Sequence, residues 1–282
     1  MTISTPTFVR EVTRIDDPKA SPGHVVGHWA RRLIDGRNPI FTDPFVVMAE
    51  DWMPRGAFPR HPHRGIETVT FVIEGSVEHT DSAGNEGVIH AGDAQWMTAG
   101  KGVLHEESAL AGTIAHTLQL WVNLPAVAKM TEPRYQDLAA GAMPVRREPG
   151  VEVRVFSGES GGVTSPTLNH VPVTMLEMRI EPQASLQQLL PASDNAFVYI
   201  LAGAAKIGIS GTLVEVNQLA WLSRAERFGW SELTLGAESV AVRLLLLAGR
   251  PLREPIALGG PFVMNTEAEI RQAFADFRAG RF

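Results

Sequence analysis

The sequence predicts an all-β protein made of two similar β units and ending in one helix. From about residue 45, short runs rich in Val, Ile, Phe and Thr alternate with clusters of turn-forming residues. Between residues 45 and 125 we find no helical segment of about 10–15 residues, which a parallel α/β fold would need between its strands. The second half of the chain also echoes the first. We therefore expect antiparallel strands in two related units.

The repeat is carried by glycine and tryptophan positions. The segment "TFVIEGSVE" (70–78) resembles "VYILAGAAK" (198–206), which aligns Gly75 with Gly203. A weaker match between residues 91–100 and 216–225 places Trp96 near Trp221. A segment rich in Pro, Ala and charge separates the two halves. We predict an N-terminal domain over 1–130, a linker over 131–150 and a C-terminal domain over 151–282.

The C-terminal segment has a different pattern. Thr266 followed by Glu269 forms a capping box, which is typical of a helix start. Ile270, Phe274 and Phe277 then fall at helical spacing on one face. This predicts an amphipathic helix that packs across a sheet.

The composition narrows the class of protein. The chain has 282 residues, 44% of them hydrophobic, and no cysteine, which excludes disulfides, thiolate metal sites and a cysteine nucleophile. Its net charge of −6 without a dense basic cluster argues against direct binding of nucleic acid. The first residues lack the pattern of a signal peptide, and no apolar run approaches the ~18–20 residues of a membrane span. We expect a soluble, cytoplasmic protein with no membrane partner.

Metal-binding residue types occur in two pairs, each with one residue between its members. His61 and His63 stand at the start of "HPHRGIETVTFVIEG", and alternate side chains of a strand share a face. His105 and Glu107 repeat the spacing in "GKGVLHEES", with Glu106 pointing the other way. Three neutral imidazoles and a carboxylate are a suitable ligand set for one divalent transition metal with open positions. The competing interpretations are ordinary surface histidines and a closed, structural zinc site.

The carboxylate of this set is not fixed by spacing. Glu67 follows His63 by four residues, so strict alternation along one strand would place it on the histidine face as well. Glu67 could be the ligand, a group that orients a histidine, or a salt-bridged residue. Spacing alone does not choose between Glu67 and Glu107.

These motifs resemble a known family. Gly56, His61, His63, Glu67 and Gly75 follow the first cupin motif, and "GDAQWMTAGKGVLH" stands where the second belongs. The segments "FPRHPHRGIETVTFVIEG", "LQLWVNL", "PLREP" and "GPFVMNT" are similar to those of the pirin family. The resemblance extends from about residue 43 to the C-terminal helix.

The resemblance implies a bicupin fold, with two stacked, antiparallel, jelly-roll-like β-barrels and a metal in the first barrel only. The family's ligands fall on His61, His63, His105 and Glu107, which leaves Glu67 to orient them. The metal implied is Fe(II), with Mn, Ni, Co, Cu and Zn as alternatives. The last histidine of the chain is His170, so we expect no histidine metal site in the second barrel.

The resemblance also implies an activity like that of quercetin 2,3-dioxygenase, in which O₂ opens a flavonol ring and carbon monoxide is released. Glu107 would then accept the proton of the substrate hydroxyl. Phe58, Met97 and Trp121 are candidates for an apolar pocket around a flat ring, with ordinary core packing as the competing interpretation. The rival function is a metal-dependent regulator that binds a protein partner, either as a transcriptional co-regulator or as a modulator of a metabolic enzyme. Both functions would use the same ligands.

Overall fold

The computed structural model describes residues 8–82 and 84–282, and these residues divide into two compact units. Unit I comprises Lys19–Gly141 and Leu252–Phe282. Unit II comprises the residues up to Pro18 together with Ala142–Pro251. Residues 1–7 of the predicted N-terminal domain and Ala83 of the predicted turn "DSAGNEG" lie outside the described residues. No helix within the described ranges is both long enough and apolar enough to cross a membrane.

The chain begins in unit II with two short strands, β1 (Phe8–Val9) and β2 (Val12–Asp16). It continues through unit I with one short helix, α1 (Pro39–Thr42), and these strands: β3 (Ser21–Pro22), β4 (Trp29–Asp35), β5 (Phe45–Pro54), β6 (Phe58–His63), β7 (Ile66–Glu74), β8 (Ser76–Asp81), β9 (Glu86–His90), β10 (Ala94–Thr98), β11 (Val103–Ala109), β12 (Ile114–Asn123) and β13 (Arg134–Leu138). A 3-10 turn (Ala126–Ala128) lies between the last two of these strands.

The chain then returns to unit II for the following strands: β14 (Val145–Glu148), β15 (Val151–Ser157), β16 (Glu159–Ser160), β17 (Val163–Thr164), β18 (Val173–Ile180), β19 (Ser185–Pro191), β20 (Asn195–Ala202), β21 (Ala204–Ile207), β22 (Thr212–Glu215), β23 (Leu219–Leu222), β24 (Trp230–Ala237) and β25 (Val242–Gly249). It ends in unit I with β26 (Ala257–Gly259), β27 (Phe262–Met264) and helix α2 (Glu267–Arg278).

Unit I is built from a large and a smaller antiparallel sheet. The large sheet has the strand order β13-β10-β7-β12-β5-β4-β3, and the smaller one has the order β6-β11-β8-β9. Strand β7, "IETVTFVIE", lies inside the large sheet and is buried along most of its length. Its β-branched and aromatic residues favour such a pleated, two-sided packing.

Unit II has the same plan. Its large sheet runs β14-β15-β18-β25-β20-β23-β2, and its smaller sheet runs β1-β24-β21-β22 with β19 beside β24. All these pairs are antiparallel except β1 with β24. Fully buried aliphatic side chains from both sheets form one core cluster, which includes Leu176, Val198, Leu244, Ile207 and Leu233. The predicted all-β class with two related units is therefore confirmed.

The internal repeat is confirmed at the level of single positions. Gly75 connects β7 to β8 with φ +81°, and Gly203 connects β20 to β21 with φ +75°. A Cβ at Gly203 would stand 2.2 Å from the carbonyl oxygen of Ala241, so only glycine fits this turn. Trp96 lies on β10, which pairs with β7, and Trp221 lies on β23, which pairs with β20.

The structure places each end of the chain in a different unit from the one that the sequence predicted. β1 pairs with β24 and β2 pairs with β23, so the N-terminal strands complete the sheets of unit II. Arg10, between them, is fully buried there, and its guanidinium donates to Ser231 Oγ at 2.7 Å and to the Pro191 carbonyl at 2.7 Å. At the other end, residues 252–282 belong to unit I.

The predicted linker over 131–150 also differs from the structure. It contains β13, which pairs with β10 in unit I, and β14, which pairs with β15 in unit II. Residues 139–144 are the part of this segment between the two strands. An edge strand is hydrogen-bonded to a neighbouring strand on one side only. Its sequence can therefore carry the proline and charge that suggested a linker.

Helix α2 forms as predicted, and it belongs to unit I. The Thr266 hydroxyl accepts from the Glu269 amide, and the Glu269 carboxylate accepts from the Thr266 amide, which completes the capping box. Ile270 is buried, and the Phe274 ring packs edge-on against Phe262 of β27 at 4.9 Å. The helix thus covers the small β26–β27 sheet. Phe277 is more exposed than the periodicity predicted.

Candidate metal centre

Strands β6 and β11 bring three imidazoles together in unit I. The antiparallel register sets His105 opposite His61 and Val103 opposite His63. The Nε2 atom of His61 lies 3.1 Å from Nε2 of His63 and 3.0 Å from Nε2 of His105. One donor atom from each of the three rings lies within 4.8 Å of the others. The structure therefore gathers the three histidines that the two sequence pairs indicated.

In two of the three rings, the hydrogen bond made by Nδ1 shows that Nε2 is the nitrogen that faces the cluster. Nδ1 of His61 lies 2.9 Å from the carbonyl oxygen of Pro59, and Nδ1 of His63 lies 3.3 Å from that of Pro261. A carbonyl only accepts, so each Nδ1 must carry the proton and each Nε2 then presents a lone pair. Two lone pairs 3.1 Å apart repel each other rather than form a hydrogen bond. A cation between them removes that repulsion, and the arrangement fits a metal site.

The spacing of these nitrogens carries information about coordination geometry. With metal–nitrogen bonds of about 2.1 Å, ligands at right angles stand about 3.0 Å apart, whereas tetrahedral ligands stand about 3.4 Å apart. The observed 3.0 and 3.1 Å match the right-angled case. His61, His63 and His105 would hold a metal, and three protein nitrogens would leave further positions open.

Burial keeps two of the three rings neutral. It lowers the pKa of His63 to about 3, with a further contribution from the neighbouring His61. Burial likewise lowers the pKa of His105 well below its usual value, with His63 and His61 adding to the effect. A neutral imidazole can ligate a metal without first releasing a proton. Both shifts therefore favour metal binding near neutral pH.

Glu107 lies on β11 two residues beyond His105. Both side chains are buried, while Glu106 between them is only half-buried, as alternation predicted. Thr70 Oγ1 donates to Glu107 Oε1 at 2.6 Å, and Gln119 Nε2 donates to Glu107 Oε2 at 2.6 Å. These two bonds fix the plane of the carboxylate. Among the described residues, the group of mutually close donor atoms contains the three histidines without Glu107, so Glu107 as the fourth ligand stays a prediction.

Glu67 is placed differently from what strict alternation suggested. The strand is interrupted after His63, because Gly65 has φ +80° and Glu67 belongs to the next strand, β7. Along β7, Glu67 and Thr70 are three residues apart and face opposite sides of the sheet. The Thr98 hydroxyl donates to the buried Glu67 carboxylate at 2.8 Å. A part for Glu67 in orienting a histidine ligand remains a prediction.

A cavity of about 320 Å³ opens beside the histidines. Its walls come from alternate residues of neighbouring strands, which share the inner face: on β5 Val47, Ala49, Asp51 and Met53, and on β12 Thr117, Gln119 and Trp121. Phe58, His61, His63 and Glu107 also line it. This size and largely apolar lining are typical of small-molecule sites.

Of the three residues that the sequence proposed for the pocket, two line the cavity and one does not. Phe58 and Trp121 line the cavity, and the Trp121 ring stands 5.0 Å from His63, edge to face. Met97 instead packs in the core with Ile66 and Val103. The competing interpretation of ordinary core packing is thus correct for Met97.

Sequence reasoning missed two histidines near this centre. His79 on β8 is buried, and its ring lies 5.4 Å from that of His105. His28 lines the cavity and bonds to Asp51, with its Nε2 2.8 Å from Oδ1. Neither belongs to the two sequence pairs, and the folding of the strands brings both to this centre.

Comparison with known proteins identifies the family. The pirin family model matches residues 36–122, and the model of the pirin C-terminal cupin domain matches residues 175–282. The chain is also 40% identical over 257 residues to Pirin from Homo sapiens, a match that covers 90% of this chain and 87% of that protein. This chain belongs to the pirin family.

Two solved structures are similar to this chain over most of its length. GK1651 from Geobacillus kaustophilus has a TM-score of 0.86 and 45% identity, covering 88% of this chain and 99% of that one. A quercetin 2,3-dioxygenase from Acinetobacter baumannii has a TM-score of 0.85 and 34% identity, covering 97% of this chain and 98% of that one. The pirin bicupin fold implied by the sequence motifs is therefore confirmed.

Proposed function

We propose that this pirin is a metal-dependent dioxygenase that opens the ring of a flavonol such as quercetin with O₂ and releases carbon monoxide. The observation that carries the proposal is the convergence of three imidazole nitrogens beside a mainly apolar cavity. The similarity to a protein described as a quercetin 2,3-dioxygenase supplies the substrate class.

The metal would be held by His61, His63 and His105, with Glu107 as the fourth ligand. Fe(II) is the metal that the resemblance to pirins implies, and the spacing of the nitrogens argues against a tetrahedral zinc site. A bound metal would supply Lewis acidity toward the flavonol oxygens and redox chemistry toward O₂.

The bonds around Glu107 suit a carboxylate that gains and loses a proton. Thr70 Oγ1 lies 2.6 Å from Glu107 Oε1 and 2.9 Å from Gln119 Oε1, but a hydroxyl has a single proton to donate. With Glu107 ionised, Thr70 donates to Glu107. With Glu107 protonated, Glu107 donates to Thr70 and Thr70 donates to Gln119. Glu107 thus keeps Thr70 as a hydrogen-bond partner in both states, so it can take the proton of a substrate hydroxyl without losing that bond.

The aromatic walls would orient the substrate. Phe58 and Trp121 both line the cavity, and Trp121 meets His63 edge to face. Their flat faces can hold a planar ring so that its hydroxyl end is directed at the histidines. Orientation of this kind contributes to the rate by making the encounter of reactants nearly intramolecular.

The first test measures the metal and then the reaction. Protein purified without added metal should contain about one divalent metal per chain, and the His61→Ala, His105→Ala double variant should contain none. The exposed His90, replaced by Ala, is the matched control and should keep its metal. Loaded protein should bind quercetin under argon and, once O₂ is added, consume both with release of carbon monoxide.

Glu107→Gln should lower kcat by about 10²–10⁴-fold at saturating metal, since the amide cannot accept the proton. Glu67→Gln should act through metal affinity, by about 10–100-fold if Glu67 orients a ligand. Equal loss of kcat in both variants would mean that the carboxylate roles are misassigned. If protein loaded with iron, manganese, nickel, cobalt or copper does no better than free metal, the dioxygenase proposal fails, and the regulatory function that uses the same ligands replaces it.

A further inference from the structure

A buried histidine–aspartate pair stands in the wall of the cavity that the metal-binding histidines also line. Nε2 of His28 lies 2.8 Å from Oδ1 of Asp51, and both side chains are almost completely buried. Both residues line the cavity. Asp51 occupies the inner face of β5, opposite Thr117 of β12 and Ala30 of β4.

The surroundings of His28 fix its tautomer and position. The backbone amide of His24 donates to Nδ1 of His28 at 3.4 Å, so Nδ1 accepts and the proton sits on Nε2, where it is donated to Asp51. A Cβ at Gly23 would stand 2.0 Å from Nδ1 of His28, so the absence of a side chain there makes room for the ring. His28 is therefore a fixed donor that orients Asp51.

One carboxylate oxygen of Asp51 remains for a ligand. Oδ1 accepts the hydrogen bond from His28. The side chain lines the cavity, so Oδ2 is the oxygen that a bound ligand would meet. Burial raises the pKa of Asp51 above its usual value, the bond from His28 opposes that shift, and the charge of Glu107 adds to it. A further donor that reached Oδ2 would stabilise the ionised carboxylate.

A row of rings connects this pair with the metal centre. The His28 ring meets Phe58 edge to face at 5.2 Å, and Phe58 lies 6.5 Å from His61. A flat molecule lying along Phe58 with one end at the histidines would extend its other end toward Asp51. The side chain of Arg32 lines the same cavity and disfavours a cationic group at that end.

We propose that Asp51, oriented by His28, is a binding subsite for a substrate hydroxyl group outside the metal-chelating edge. The ligand class is a polyphenol, in which a neutral hydroxyl donates to Asp51 Oδ2. This inference rests on the proposed function, and it restricts the substrate to flavonols that carry hydroxyls beyond the 3-hydroxy-4-keto edge.

The test compares two flavonols that share the chelating edge. Quercetin carries additional ring hydroxyls, and 3-hydroxyflavone carries none. Each is titrated under argon into metal-loaded wild type, Asp51→Asn and Gly23→Ala, with urea unfolding as a check that each variant is folded. Asp35→Asn is the matched control, because this aspartate is bonded to Arg37 outside the cavity.

We expect the preference for quercetin over 3-hydroxyflavone to fall about 10- to 100-fold in Asp51→Asn, the range for a hydrogen bond to a charged group. Gly23→Ala should reduce the preference in the same direction by displacing His28, and Asp35→Asn should leave it unchanged. Because the ratio of two affinities is taken within each protein, a general loss of binding cancels.

The outcomes separate the two proposals. If 3-hydroxyflavone binds in a metal-dependent way and the quercetin preference is the same in all variants, the subsite is wrong and the dioxygenase proposal stands. If neither flavonol binds the metal-loaded wild type, both proposals fail.

Discussion

At the scale of single residues, the protein keeps several histidines neutral by burying them. Burial is the main cause that lowers the pKa values of His63, His79 and His105. In the unfolded chain these rings take up protons as the pH falls below about 6.5. The folded metal-free protein takes up those protons only at lower pH, near 3 for His63.

The metal-free protein should therefore lose stability on acidification. The stabilising contribution of each ring is fully present above pH 6.5 and is lost as the pH falls toward the folded pKa, at up to about 1.4 kcal/mol per pH unit. Urea unfolding from pH 7 to pH 5 measures the slope, and His79→Gln should make it shallower. A free energy of unfolding that is flat over this range would contradict the prediction.

The residues of the metal centre differ in how far the sequence reveals them. His61, His63 and His105 could be predicted because alternation along one strand is a local property. The partnership of His28 with Asp51 could not, since the two residues are 23 positions apart and meet only through the pairing of β4 with β5. The alternation that starts at His63 does not extend to Glu67, because the chain breaks at Gly65 before β7 begins.

At the scale of elements, the turn between β6 and β7 is closed by a close backbone approach. Gly65 has φ +80°, and a Cβ there would stand 2.0 Å from the carbonyl oxygen of Val263. Its amide donates to the Gly100 carbonyl at 2.8 Å, and its own carbonyl accepts from the buried Lys129 ammonium at 2.9 Å. The turn thus joins β27 to the strand that carries two of the metal-binding histidines.

Gly65→Ala should destabilise the protein more than Gly112→Ala. Gly112 has a similar φ of +78° but nothing within 4 Å of the added Cβ, so it isolates the left-handed strain of about 1–2 kcal/mol. The additional loss of unfolding free energy in Gly65→Ala, beyond that in Gly112→Ala, measures the clash with β27. Thermal or urea unfolding of the two variants measures the difference, and equal losses would show that the backbone relaxes without cost.

The short edge strands show where sequence patterns are weak. β7 and β20 could be predicted from their apolar runs, and so could α2 from its capping box and spacing. β13 and β14, "RYQDL" and "VRRE", have no such run, and their partners β10 and β15 decide that they are strands. Pairing partners are a tertiary property that one segment does not contain.

At the scale of the whole molecule, each end of the chain completes the unit built mainly from the other half. Arg10 illustrates this at the N-terminal end. Its guanidinium donates to the carbonyls of Pro191, Ser223 and Asp194, all in unit II. Burial lowers the pKa of Arg10 to about 10, and the nearby Asp194 opposes that shift.

Arg10→Leu should cost about 3–5 kcal/mol, because it leaves several buried acceptors without their donor. The matched control Arg14→Leu removes an exposed ion pair with Asp16 on the same strand and should cost under about 1 kcal/mol. Hydrogen exchange should rise in β2 and β24 for Arg10→Leu and remain low in β6 and β11. Uniform loss of protection over both units would contradict this local effect.

The bond between His63 Nδ1 and the Pro261 carbonyl has a consequence for biosynthesis. Pro261 is translated almost 200 residues after His63, and β27, which follows it, closes against Gly65. On the ribosome, a nascent chain would already have its three imidazoles while the acceptor that sets the His63 tautomer was still missing. We therefore expect metal to be acquired in its final form only after the segment that carries Pro261 has emerged from the ribosome.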